Sequence, residues 1–338
     1  MRSRYRALVL ATTCLAFVVV VVGAYVRLAN AGLGCPDWPG CYGELTPAHA
    51  VAQIERAVEA QGGEHGPVSL HKAWKEMAHR YLAGTLGLAI LAIAIVSWRR
   101  RATLALRPVL PTVLLALVVF QAALGMWTVT LLLKPVIVTL HLAGGMATFA
   151  LLVWLTAREL ALRAPPDRVR AAALRPWAAA ALFVVAAQIV LGGWVSSNYA
   201  ALACVDFPTC HGAWMPEMDF RHGFQLVREL GRTADGSHLA YEALTAIHWI
   251  HRVGAVATLL FVGALAFALA RIRGTAVYGT ILAAVLVLQV ALGITNILAG
   301  LPLAVAVAHN AAAALLLACV VMINFAVSQK AQPLRLFH

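Results

Sequence analysis

The chain has 338 residues, of which 62% are hydrophobic and only 12% charged. Soluble domains carry about 25% charged residues, so this composition, with a mean hydropathy of +0.82, excludes an ordinary soluble globule. The net charge of +12 does not point to a nucleic-acid partner, because the Lys and Arg residues fall in short connections between apolar runs and form no free basic stripe.

A helix that crosses a bilayer needs ~20 mostly apolar residues. Eight such runs follow one another near residues 8–28, 76–98, 109–131, 135–157, 176–198, 243–270, 275–298 and 303–327. The first is too long for a signal peptide and no A-x-A cleavage site follows it, so it is read as a span. Arg2, Arg4 and Arg6 precede the first run, and Arg99, Arg100, Arg101 and Arg107 join the second to the third. Arg158, Arg163, Arg168, Arg170 and Arg175 join the fourth to the fifth, Arg271 and Arg273 the sixth to the seventh, and Lys330 and Arg335 follow the eighth. With eight spans all these segments share one side, so both termini are expected in the cytoplasm of an inner-membrane protein. The two long loops, roughly 29–75 and 199–242, are then expected outside.

The halves repeat. Gly23-Ala24-Tyr25-Val26 leads to Cys35 as Gly192-Gly193-Trp194-Val195 leads to Cys204. Cys35-Pro-Asp-Trp-Pro-Gly-Cys41 matches Cys204-Val-Asp-Phe-Pro-Thr-Cys210, and Ala78-His79-Arg80 matches Ile250-His251-Arg252. Gln121 to Gly125 matches Gln289 to Gly293, and His141 matches His309 at the same offset of 168 residues. The expected fold class is therefore all-α integral membrane: eight transmembrane helices as two tandem four-helix bundles, 1–165 and 166–338, related by a pseudo-two-fold axis along the membrane normal.

Ionisable residues inside a span are costly and mark function. His79, His141, His251 and His309 each lie early in an even-numbered span, at repeated places. His141 lies six residues after Pro135, ~9 Å of helix, and His309 lies seven after Pro302. His79 can face His141 across one bundle, and His251 can face His309 across the other. Two imidazoles from facing helices suit the axial positions of a haem iron. Gly84, Gly87, Gly144, Gly145 and Ala311 to Ala314 leave room beside them, although small residues also pack helices in lipid. The blander alternative is four histidines hydrogen-bonded between helices. A non-haem metal fits less well, since the runs hold no carboxylate or thiolate cluster.

Glu76 precedes His79 by three residues, whereas His248 stands at that place in the second half. An acid beside one pair only suggests different work for the halves; the alternative is a solvated acid at a helix N-terminus. Arg80 and Arg252 each follow a histidine, where haem propionates or lipid phosphates are candidate partners. Of the six cysteines, Cys14 and Cys319 read as core residues. Cys35 with Cys41 and Cys204 with Cys210 form two C-x5-C pairs in the outer loops, where disulfides persist. Each pair is either a staple over the bundle mouth or a redox-active dithiol.

The run Cys35-Pro-Asp-Trp-Pro-Gly-Cys41, Glu76-Met-Ala-His79-Arg80, His141, His251-Arg252 and His309 resembles the haem A synthase family, over nearly the whole chain. The resemblance implies oxidation of a methyl group of haem O to a formyl group, giving haem A for cytochrome oxidase. It implies that His79 and His141 hold the substrate haem in the first unit, and that His251 and His309 ligate a resident haem b in the second. It also implies a catalytic role for Glu76 and a Cys35–Cys41 disulfide. The implied partners are haem O itself, a haem O synthase that supplies it, an electron donor and the lipid bilayer; Gly and Ala patches permit a homo-oligomer. The chain departs from the pattern in the length and polarity of the stretch from Glu44 to Lys72. Readings from other classes are a di-haem b-type electron carrier, a haem exporter or chaperone, and a transporter whose histidines are structural.

Overall fold

A computed structural model describes residues 2–61, 63, 68–160 and 167–329. Arg163, Lys330, Arg335, the expected 165/166 boundary, and positions 62 and 64–67 of the first long loop lie outside the described residues. The described chain is helical, with no strand beyond isolated bridges. Eight helices are long and apolar enough to cross a membrane: α1 (Arg2–Leu28), α2 (Leu70–Arg99), α3 (Val109–Thr130), α4 (Pro135–Glu159), α5 (Arg175–Ser197), α6 (Tyr241–Ala270), α7 (Ala276–Leu298) and α8 (Leu303–Ser328). The protein is thus a multi-pass membrane protein. Large apolar side chains such as Leu88, Val119, Phe183 and Val287 stay exposed on these helices, because a bilayer, not protein, covers that surface.

Each expected run is a helix, and most ends agree within a few residues. The exception that matters is α2, which begins at Leu70, six residues before the expected 76. Its first two turns carry His71, Lys72 and Lys75, so hydropathy does not detect its start, but Ser69 caps it by accepting the Lys72 N–H at 3.2 Å. Glu76 therefore sits well inside the helix and is only 4% exposed. The reading of Glu76 as a solvated N-terminal acid is corrected by that burial.

In the first four helices α2 and α4 each pack against both α1 and α3, so α2 and α4 stand across the bundle from one another. In the second four, α6 and α8 each pack against both α5 and α7, with the same result. The two sets meet through α1, α4, α5 and α8, in the pairs α4–α5, α1–α8 and α4–α8. This map is unchanged when the two sets are exchanged, which is the pattern a two-fold relation produces.

Polar ties lock the central helices where lipid offers no competing partner. Tyr5 and Ser97 hydroxyls share a bond of 2.8 Å between α1 and α2, and Thr13 and Thr156 one of 2.7 Å between α1 and α4. Thr139 meets Ser197 at 3.0 Å across α4–α5, and Asn324 on α8 donates to Ala178 O of α5 at 2.7 Å. Trp154 meets Phe325 edge-on at 5.2 Å between α4 and α8.

Candidate functional site

The four histidines sit on the four cross-bundle helices: His79 on α2, His141 on α4, His251 on α6 and His309 on α8. His79 and His141 are within electrostatic range of each other, as are His251 and His309. Each ring rests on a glycine of a flanking helix. A Cβ at Gly23 would lie 2.9 Å from His79 Cε1, and at Gly125 3.3 Å from His141 Cε1. At Gly192 it would lie 3.1 Å from His251 Cε1, and at Gly293 3.1 Å from His309 Cε1. Gly84, Gly87 and Gly145 instead have nothing within 4 Å, so they leave open space, whereas the Gln121 amide occupies the room beside Gly144.

All four rings are half-buried. Nδ1 of His79, His141 and His309 is closed off and has no hydrogen-bond partner. His251 differs: the Gln188 amide donates to His251 O at 2.9 Å and lies 3.1 Å from His251 Nδ1. Gln289 lies 3.2 Å from His309 Nε2. The described residues contain no group of three or more His, Cys, Asp and Glu suited to a metal ion. Repeated imidazoles on facing helices, without a cluster of further donors, would suit a haem, whose ring brings its own donors to the metal. The glycine seats and the paired glutamines are what sequence reading missed. Their signal was present as the matched Gly23/Gly192, Gly125/Gly293 and Gln121/Gln289 positions of the repeat.

At the cysteine-loop end of the first bundle, Glu76 Oε1 lies 2.5 Å from Arg80 Nη2 one turn along α2. Its Oε2 accepts the Cys35 N–H at 3.0 Å. Arg80 also donates to Asp37 O at 2.8 Å and to Gly40 O. In the second bundle Arg252 donates to Thr209 O at 2.7 Å, Cys204 O at 2.9 Å and Asp206 O at 2.8 Å. His248, in the place of Glu76, instead has Nδ1 3.0 Å from Ala200 O. Both arginines thus serve loop carbonyls, and with five N–H donors each they retain capacity; Arg252 Nε is buried without a partner.

Both cysteine pairs are bonded, Cys35 to Cys41 and Cys204 to Cys210. Each loop is closed by its aspartate. Asp37 accepts from Tyr42 N at 2.6 Å and Gly43 N at 2.8 Å; Asp206 accepts from His211 N at 2.7 Å and Gly212 N at 2.9 Å. The Thr209 hydroxyl, then the Gly212 and His211 N–H groups, hold the Asp206 carboxyl well below the usual range. Burial, then the charges of Asp37 and Glu76, push the Tyr42 phenol up. The site is therefore one motif built twice, with a buried acid in one copy only.

Fold and site define a helical membrane protein with two repeated sets of membrane histidines, each next to an arginine that holds a disulfide loop. The family model COX15-CtaA, described as cytochrome oxidase assembly protein, matches residues 6–321, and the chain belongs to that family. It is 40% identical to the heme A synthase of Shewanella oneidensis over 314 residues, covering 93% of this chain and 94% of that one. It is 30% identical to the heme A synthase of Rhizorhabdus wittichii over 322 residues, 90% of this chain and 88% of that one. With the heme A synthase of Halalkalibacterium halodurans it shares 29% identity over 299 residues, 86% of each chain.

Proposed function

We propose that this protein is a haem A synthase, an oxidoreductase that converts a methyl group of haem O to a formyl group and so makes haem A for cytochrome oxidase. The observation that carries this reading is the duplicated histidine pair, every ring seated on a glycine, with Glu76 beside one pair and none beside the other. In this reading the first unit, residues 1–165, takes haem O as substrate between His79 and His141. The second, 166–338, retains haem b between His251 and His309. A resident haem b supplies one-electron redox chemistry when bound.

The chain's own groups do the rest. The four imidazoles hold and orient the macrocycles. Gln188, beside His251 alone, restricts that ring, which suits a permanent ligand rather than an exchangeable one. Glu76 holds or moves a proton beside the reacting edge. The two disulfide loops lie over the bundle mouths and limit access of water. The reading implies a haem O synthase upstream and an electron donor. Arginine-rich connections at one end of the bundles support cytoplasmic termini and cysteine loops on the outer face of the inner membrane.

The test is extraction and chromatography of the haems bound to protein expressed with a haem O supply. Haem B together with haem O or haem A is the expected result. Haem B alone at two per chain would favour a di-haem electron carrier, and no haem would overturn the ligand assignments.

A further inference from the structure

Backbone carbonyls of the first cysteine loop converge on one guanidinium. Arg80 reaches Asp37 O at 2.8 Å, Pro39 O and Cys35 O each at 3.4 Å, and Gly40 O as well. The same guanidinium holds Glu76, whose other oxygen takes the Cys35 N–H. Cys35 and Cys41 are both fully buried. The loop lies hard against α2 because residue 34 is glycine: a Cβ there would be 2.7 Å from both Ala73 N and Lys72 C, which are backbone atoms and cannot swing aside. That close approach is what brings Cys35 N within 3.0 Å of the acid.

The second unit carries the same clamp without the acid. Arg252 takes Cys204 O, Asp206 O and Thr209 O, but Ala203 stands where Gly34 does and His248 where Glu76 does. A clamp that served only to fold a loop would need neither Gly34 nor the acid.

We propose that Arg80 is a positioning residue that ties the Cys35–Cys41 loop to Glu76, so that the placement of the acid depends on the bridge being closed. The carbonyls of residues 35, 37, 39 and 40 face one point because the bridge closes that segment on itself. Opening it lets them diverge, and Arg80 and Cys35 N then release the carboxylate. The inference rests on the reading of Glu76 as the acid of haem O oxidation, and one arm of its test does not.

The test compares Arg80→Lys, Arg80→Gln, Gly34→Ala and Cys35→Ser/Cys41→Ser, with haem spectra as the check on folding. Lysine keeps the charge but cannot reach several carbonyls and Glu76 together, so both Arg80 variants are expected to lower kcat by about tenfold to a hundredfold with KM for haem O unchanged. Gly34→Ala is expected to do the same. Adding Arg80→Gln to Cys35→Ser/Cys41→Ser is expected to cost nothing further, whereas in a Cys204→Ser/Cys210→Ser background it costs its full factor. The independent arm uses protein without haem: under limiting reductant, Cys35 and Cys41 in Arg80→Gln are expected to take up maleimide faster, with Cys204 and Cys210 unchanged. Additive losses, a raised KM in place of a lowered kcat, or unaltered labelling would overturn the proposal. A wild-type protein that makes no haem A while the labelling arm succeeds would leave the clamp standing and remove the functional reading.

Discussion

Glu76 is held at both carboxyl oxygens, by Arg80 and by the Cys35 N–H, and is buried against the cysteine loop. Charge-assisted bonds of this kind fix orientation more firmly than neutral ones. Glu76→Gln keeps the volume and removes the proton-carrying group. We expect that variant to retain both histidine-ligated haem spectra and to lose haem A formation by more than a hundredfold, as measured by chromatography of extracted haem; unchanged product would remove the acid's catalytic role. Asp206 illustrates a purely structural charge. Its carboxyl sits below the ordinary aspartate value of 3.8 because Thr209, Gly212 and His211 donate to it. A depressed folded value stabilises the loop above the unfolded value, and that contribution is lost as pH falls from about 4 toward the folded value. Amide protection factors at His211 and Gly212, measured against the intrinsic rate at each pH, should accordingly be high at neutral pH and fall only in strong acid, and Asp206→Asn should lower them at pH 7.

The glycine seats belong to the element scale. Replacing glycine by alanine inside a helix ordinarily stabilises by roughly 0.5–1 kcal/mol. At Gly192 a Cβ would meet His251 Cε1 at 3.1 Å, so the ring must retreat. Gly192→Val is expected to weaken haem binding at the His251–His309 site at least tenfold in a spectroscopic titration, while Gly84→Ala, in open space, leaves it unchanged. Equal effects at the two positions would mean that the seats do not matter. The two units also touch through adjacent glycines. Gly192 backs onto His251, and a Cβ at Gly193 would lie 2.8 Å from Leu142 Cδ2, next to His141. The α4–α5 contact therefore brings one histidine of each pair to the same seam.

At the scale of the whole molecule, the arginine-rich connections and the cysteine loops lie at opposite ends of the eight helices. If the arginine end is cytoplasmic, a cysteine introduced as Ala102→Cys should react with a membrane-impermeant maleimide only in inverted vesicles. Ala234→Cys should react only in right-side-out cells; the reverse pattern would invert the topology.

The sequence by itself determined the eight spans, because runs of ~20 apolar residues have no other stable home. It also marked His79, His141, His251 and His309, because the duplication puts a histidine at the corresponding place of each unit. The early start of α2 escaped it, since a Ser-capped turn of polar residues looks like loop to any hydropathy reading. Only the tertiary structure decided what Arg80 and Arg252 hold: their partners are mostly backbone carbonyls, which every residue has and no sequence pattern marks. The same holds for Gly34 and the glycine seats, whose meaning depends on which neighbour's atoms arrive beside them, and that is fixed by helix packing and loop closure rather than by the identity of the residue alone.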